Sequence, residues 1–112
     1  MKTSEIIGLA HDYIEEHGWC QNSLQNKEGK VCLEGAVVKV IGGRITKDGL
    51  GFACKDMESH LRVNEAFDAV MEALGGEDLL SIPAYNDAET TTKQDVLTLL
   101  EKTQIQLEER DE

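Results

Sequence analysis

Proline occurs once, aromatic residues five times and cysteine three times in 112 residues. So few aromatics mean that the core must be assembled from Ile, Leu, Val, Ala and Met. An odd number of thiols fits reduced cysteines better than a disulfide framework. The candidate zinc ligands are His11, His17, Cys20, Cys32, Cys54 and His60, but no tight Cys-x(2–4)-Cys knuckle exists among them. No metal and no cofactor are therefore expected. No apolar run approaches the ~20 residues of a membrane span, so no membrane partner is expected. Internal repeats, heptad runs and low-complexity tracts are also missing. The opening MKTSEIIGLAHDYIEE turns acidic too early for a signal peptide, and the expected location is the cytoplasm.

Basic charge is scarce as well. Eleven Lys and Arg face 22 Asp and Glu, a net charge of −11, which argues against direct nucleic-acid binding by the whole surface. The imbalance is uneven. Residues 19–55 hold six basic and three acidic side chains, a net of +3. The basic groups thus gather around the middle of the chain, where an anion site inside an acidic protein would have to lie.

The stretch that is plainly there is Val31 to Ile41, VCLEGAVVKVI. Leu33, Ala36, Val37, Val40 and Ile41 recur at the spacing of one helical face. Val31, Cys32 and Val38 widen that face, so the helix should be buried on more than one side. Its many β-branched residues also suit a buried strand, but length and spacing favour a helix. Gly35 inside it costs about 1 kcal/mol relative to Ala, which predicts that another backbone crosses closely there.

Three further helices flank this one. The first is expected from a Thr3 or Ser4 cap to about His17, with Ile6, Ile7, Ala10 and Ile14 inward. Gly18 is placed to end it in a left-handed conformation, folding Trp19 back on the last turn. The next runs from an Asp56 cap to about Leu74, with Leu61 or Val63, Phe67, Val70, Met71 and Leu74 inward, and Gly75-Gly76 ends it. The last begins at Thr91 or Thr92, through Thr91-x-x-Gln94 or Thr92-x-x-Asp95. Its inner face is Val96, Leu99, Leu100, Thr103 and Leu107. Residues 20–30 read as a polar connection anchored by Leu24, and 44–55 as turns that admit a hairpin through Arg44–Ile45 and Phe52–Ala53. Residues 77–91 read as a loop with Leu79, Leu80 and Ile82 tucked in, because Pro83 should prevent a helix across Ser81–Ala84. The expected fold is all-α, a single domain over 1–107 built as a bundle of four main helices with long loops. Residues 108–112 should form a frayed acidic tail.

Four pieces recur in one order: Gly18-Trp19-x-Gln21, Cys32-Leu33-x-Gly35-Ala36, Asn86-Asp87, and Thr92 followed by Asp95-Val96-Leu97 and Leu99-Leu100. In these the chain resembles a family of small actinobacterial and phage proteins carried as a domain of unknown function. Members often have Gly after the Gln, where this chain has Asn22. The resemblance implies a phage-encoded or phage-derived accessory protein that binds a host protein or a host signalling molecule. It implies no catalytic residues.

Three constellations could carry chemistry. Lys27 and Lys30, with Gly29 between them, precede the central helix, whose N-terminal N–H groups and dipole would favour a phosphate. No Gly-x-x-x-x-Gly-Lys-[Ser/Thr] loop is present. Tyr85, Asn86 and Asp87 could form a polar pair at a pocket mouth, with Tyr85 or Trp19 as a stacking face for a base, or simply a turn. Cys32 at a helix start could be a nucleophile, with a His as base and Asn86 or Asp87 orienting it. The expected ligand-binding residues are Trp19, Gln21, Lys27, Lys30, Tyr85, Asn86 and Asp87. The expected function is a non-enzymatic accessory protein binding a host protein or an anionic small molecule such as a nucleotide. The alternatives are a hydrolase or transferase using Cys32, or an acidic DNA mimic. Self-association is also open, since Gly35 could serve a helix crossing between chains.

Overall fold

The computed structural model describes residues 1–75 and 81–112. Among these residues, five helices and one short hairpin follow in the order α1 (Thr3–His17), α2 (Leu33–Val40), β1 (Arg44–Ile45), β2 (Phe52–Ala53), α3 (Met57–Leu74), α4 (Ile82–Asp87) and α5 (Lys93–Glu109). The fold is mostly α. Leu79, Leu80 and Gly76 lie outside the described residues.

The core runs through α2. Val31, Leu33, Ala36, Val37 and Val38 are all buried, against Ile6, Ile7, Ala10 and Ile14 of α1 and Val63, Ala66 and Val70 of α3. From α5 come Val96, Leu97, Leu99, Leu100 and Leu107. Thr103 joins them because its hydroxyl donates to the Leu99 carbonyl at 2.8 Å, which removes the cost of burying it. On α3 the inward residue is Val63, while Leu61 points to solvent.

The close backbone expected at Gly35 is that of Leu24. A Cβ on Gly35 would overlap the Leu24 carbonyl oxygen. That carbonyl also accepts the Cys32 N–H at 3.1 Å, so the connection 19–30 is stitched against the start of α2. The close approach at Gly35 is therefore made within its own chain.

Helix starts follow the side chains available. Asp56 accepts from the Ser59 N–H at 2.8 Å. Of the two boxes expected for the last helix, Thr92 and Asp95 form the one that exists. Thr3 and Ser4 are not caps. They are buried inside α1, and Glu5 instead reaches back to the Lys2 N–H at 2.7 Å. Gly18 ends α1 with φ +99 but an extended ψ of 164, so the chain leaves the helix straight rather than curling. Trp19 pairs through its backbone with Val31, and its indole N–H donates to Asn86.

Two further expectations are corrected. Pro83 does not forbid a helix: it stands at the second position of α4, where its missing N–H would have had no partner in any case. The Ser81 hydroxyl caps that helix by accepting from the Ala84 N–H at 3.1 Å. The end of the chain does not fray from Glu108. α5 continues through Glu109, Arg110 pairs with Glu72, and Asp111 pairs with Lys2 at 2.7 Å. The hairpin forms as expected, with Ile45 opposite Phe52. Phe52 meets Phe67 of α3 edge to face.

Candidate functional site

The side chain that organises the functional end of the molecule is Asn86. Capped by Ser81, α4 turns Asn86 inward until it is 1% exposed. All its hydrogen-bonding capacity is used. Its Oδ1 accepts the Trp19 indole N–H at 2.8 Å and the Leu33 backbone N–H at 3.1 Å. Its Nδ2 donates to the Cys20 carbonyl at 3.1 Å and to Asp87 Oδ1 at 2.9 Å. One amide thus ties the loop after α1, the start of α2 and α4 together. Gln21 doubles the tie by donating to the carbonyls of Asn86 and Ala88 at 3.1 and 3.0 Å. Asp87 Oδ1 accepts the Asn22 N–H at 2.9 Å. Asn22 has φ +70, a conformation open to Asn but commoner in Gly. The residue that departs from the resemblance therefore keeps the loop shape a glycine would give.

This frame borders a cleft of about 190 Å³. Its walls are mainly apolar, with Leu24, Leu50, Ile82 and Pro83 contributing. Leu50 comes from the hairpin turn, which the Leu24 N–H holds in place by donating to the Gly49 carbonyl at 2.7 Å. Leu50 itself is 66% exposed at the rim. Two carboxylates face the space, Glu34 from the first turn of α2 and Asp87 from the end of α4. Burial pushes the Glu34 carboxyl above its ordinary value, and the nearby Asp87 adds to the rise. Among the described residues no cation and no hydrogen-bond donor meets the Glu34 carboxylate.

The residues expected to bind ligand divide into two groups. Trp19, Gln21, Asn86 and Asp87 are brought together, but the first three serve as frame. The Trp19 indole does not line the cleft, and neither does Tyr85, whose hydroxyl donates to the Asp95 carbonyl of α5 at 3.4 Å. Lys27 and Lys30 stand apart. They belong to a turn built by Asn26, whose Oδ1 accepts the N–H groups of Glu28 and Lys30, each at 3.0 Å. The Lys30 stem packs over Gly18, and its ammonium lies 3.9 Å from Glu28. The donors an anion would use at the start of α2 are taken: Leu33 N–H by Asn86, and Gly35 N–H by the Cys32 sulfur at 3.3 Å.

Cys32 is the cap of α2. Burial pushes its thiol up to about 12, outweighing the lowering by the Gly35 N–H. At neutral pH only about one in 10⁵ such groups is thiolate, the nucleophilic form. No histidine donates to it or accepts from it among the described residues. Cys20 is likewise buried, its thiol donating to the Lys30 carbonyl at 3.3 Å. Among the described residues, His11, Asp12 and Glu15 form a cluster of metal-ligand type on α1, and His11 also meets Glu101 of α5 at 3.1 Å.

A family model described as a family of unknown function, DUF6197, matches residues 1–104. The chain belongs to this family. No curated protein and no solved structure matches it. The span matched by the family contains the whole Asn86 frame and every residue of the cleft.

Glu34 and Leu50 are the site residues that sequence reasoning passed over. Glu34 had a signal, as the one charged side chain in the apolar run from Val31 to Val38. In a helix's first turn it reads simply as a partner for the dipole. Leu50 had none, because its place depends on how the hairpin turn docks on Leu24.

Proposed function

We propose that this member of the family is a non-catalytic accessory protein of phage type, acting in a host cytoplasm by binding a host protein through the cleft. The observation that carries the reading is the apolar-walled cleft whose rim exposes Leu50 and whose lining includes a half-buried carboxylate, Glu34, with no cation beside it among the described residues. Partial burial of a charge without a partner costs stability, and a raised carboxyl in a cleft is a common mark of a binding site. The cleft volume lies below the ~300 Å³ at which cofactor-sized pockets begin, which favours a protruding part of a protein over a nucleotide. The acidic interior and the engaged donors at the start of α2 likewise favour a protein over an anionic small molecule. A larger depression of about 460 Å³ near the chain termini is shallower, and its cations Lys2 and Arg62 are already paired with Asp111 and Glu65. The thiol of Cys32, capped and protonated, gives the hydrolase reading little support.

The test places a photo-crosslinking amino acid at Leu50, or at the also exposed Ile105 of α5, in protein expressed in an actinobacterial host. The expected result is one crosslinked host protein from Leu50 and none from Ile105. The same products from both positions, or none from either, would overturn the proposal.

A further inference from the structure

We infer that the cleft is built to receive a single lysine or arginine side chain of the partner protein, its stem along Leu24, Leu50 and Ile82 and its charged tip at Glu34 and Asp87. This deepens the binding reading above and rests on it.

Three independent features converge. The first is electrostatic. Glu34 is half-buried with no cation beside it among the described residues, and a second carboxylate, Asp87, stands near enough to oppose its ionisation. Asp87 Oδ1 is already occupied by Asn22 and Asn86, while no hydrogen bond to Oδ2 is made among the described residues. Two like charges in a partly dry space disfavour one another, and a cation relieves both at once. The position of Glu34 in the first turn of α2 suits the helix dipole, but an exposed acid would serve the dipole equally well. The dipole therefore does not explain its burial.

The second feature is size and wall chemistry. A volume of about 190 Å³ matches one long side chain. The apolar wall beside the carboxylates is what the methylene stem of a lysine or arginine covers while its head seeks charge. The third is the field of the whole molecule. A net charge of −11 draws a basic surface toward it and speeds encounter. The polar frame is tied together, because Asn86, Gln21 and Asn22 are held by hydrogen bonds to one another's segments. The site is thus organised before anything binds, which lowers the entropic cost of binding.

The experiment is an amide NMR titration of the whole chain with Nα-acetyl-lysine N-methylamide. The comparison compounds are its norleucine counterpart and 1,5-diaminopentane. The lysine compound is expected to shift the amides of Asn22, Ser23 and Leu50 saturably, with the norleucine counterpart at least about tenfold weaker, as loss of a charge-assisted hydrogen bond implies. Glu34→Gln should weaken the lysine compound by about tenfold and leave the norleucine compound unchanged. That variant removes no hydrogen bond from the fold, so its melting temperature, measured alongside, should not fall. Equal binding of lysine and norleucine compounds, or lysine binding untouched by Glu34→Gln, would overturn the inference. Tighter binding of the diamine than of the blocked lysine would assign the site to a free amine and overturn the choice of a protein side chain. A host protein captured at Leu50 but bound equally well by Glu34→Gln would keep the binding reading and sink only the cationic side chain.

Discussion

Trp19 and Asn86 are joined by a 2.8 Å hydrogen bond from indole N–H to amide Oδ1, across 67 positions of sequence. The same oxygen accepts from Leu33, so one buried side chain sets both the path of the loop and the start of α2. The scarce aromatic and the scarce buried amide of this chain are used on each other.

Asn86→Ala should therefore cost more than an ordinary truncation. It leaves the Trp19 N–H, the Leu33 N–H and the Cys20 carbonyl without partners, each worth about 1–3 kcal/mol when buried. A total loss of about 3–5 kcal/mol is expected, read from urea unfolding followed by Trp19 fluorescence. Asn86→Asp keeps the two acceptor contacts but loses the donor to Cys20 and places a carboxyl against Asp87. Its destabilisation should grow as pH rises, since burial and Asp87 both oppose ionisation.

Gly35→Ala separates two physical effects of opposite sign. Helix propensity alone favours Ala by about 1 kcal/mol. The overlap with the Leu24 carbonyl forces the loop away, at about 1–3 kcal/mol. A lower melting temperature for the variant is expected. An unchanged or higher one would mean that the loop does not sit on α2.

How far the sequence could be read follows from which contacts are local. The helical stripes of α1, α2, α3 and α5 were legible because apolar spacing repeats within each segment. Gly35 was legible because a glycine amid good helix formers asks for a reason. α4 was missed because Pro83 was weighed as a helix breaker, while at the second position of a helix it breaks nothing. The role of Asn86 was missed in kind. Asn-Asp bonds to nearby backbone in most sequences, and only the folded chain brings Trp19, Cys20 and Leu33 to it. That the Leu33 and Gly35 N–H groups near Lys27 and Lys30 are engaged was not legible, because charge in sequence says nothing about which N–H groups remain free.

His11 links α1 to α5. Its ring lies 3.1 Å from both Asp12 and Glu101, with Glu15 at 3.8 Å. Burial lowers its pKa, but the carboxylates outweigh this and the net shift is upward. A histidine whose folded pKa is raised stabilises fully below its unfolded value near 6.5 and loses the effect as pH rises through the folded value. Glu101→Gln, which removes the one partner on α5, should destabilise at pH 5.5 by less than about 1 kcal/mol. The difference should fade as pH rises through the raised folded pKa, as thermal melts across pH would show.

The three thiols should alkylate in order of exposure. Cys54 is partly exposed, while Cys20 and Cys32 are buried. With its thiol pushed up to about 12, Cys32 should be last, modified only as fast as the protein opens. Iodoacetamide labelling resolved by peptide mass spectrometry checks this. Rapid native labelling of Cys32 would restore the nucleophile reading. Cys32→Ser should fold normally, since serine is a good helix cap.

The most direct measurement is the titration of the Glu34 carboxyl by carbon-detected NMR, in the native protein and in Asp87→Asn. A carboxyl with a raised folded pKa costs stability above its unfolded value, and the cost vanishes as pH falls below it. The account predicts that Glu34 titrates above the ordinary glutamate range and moves part of the way back when Asp87 is neutralised. Titration of Glu34 at its ordinary value in both proteins would place it in open water and contradict the charged cleft on which the proposed function rests.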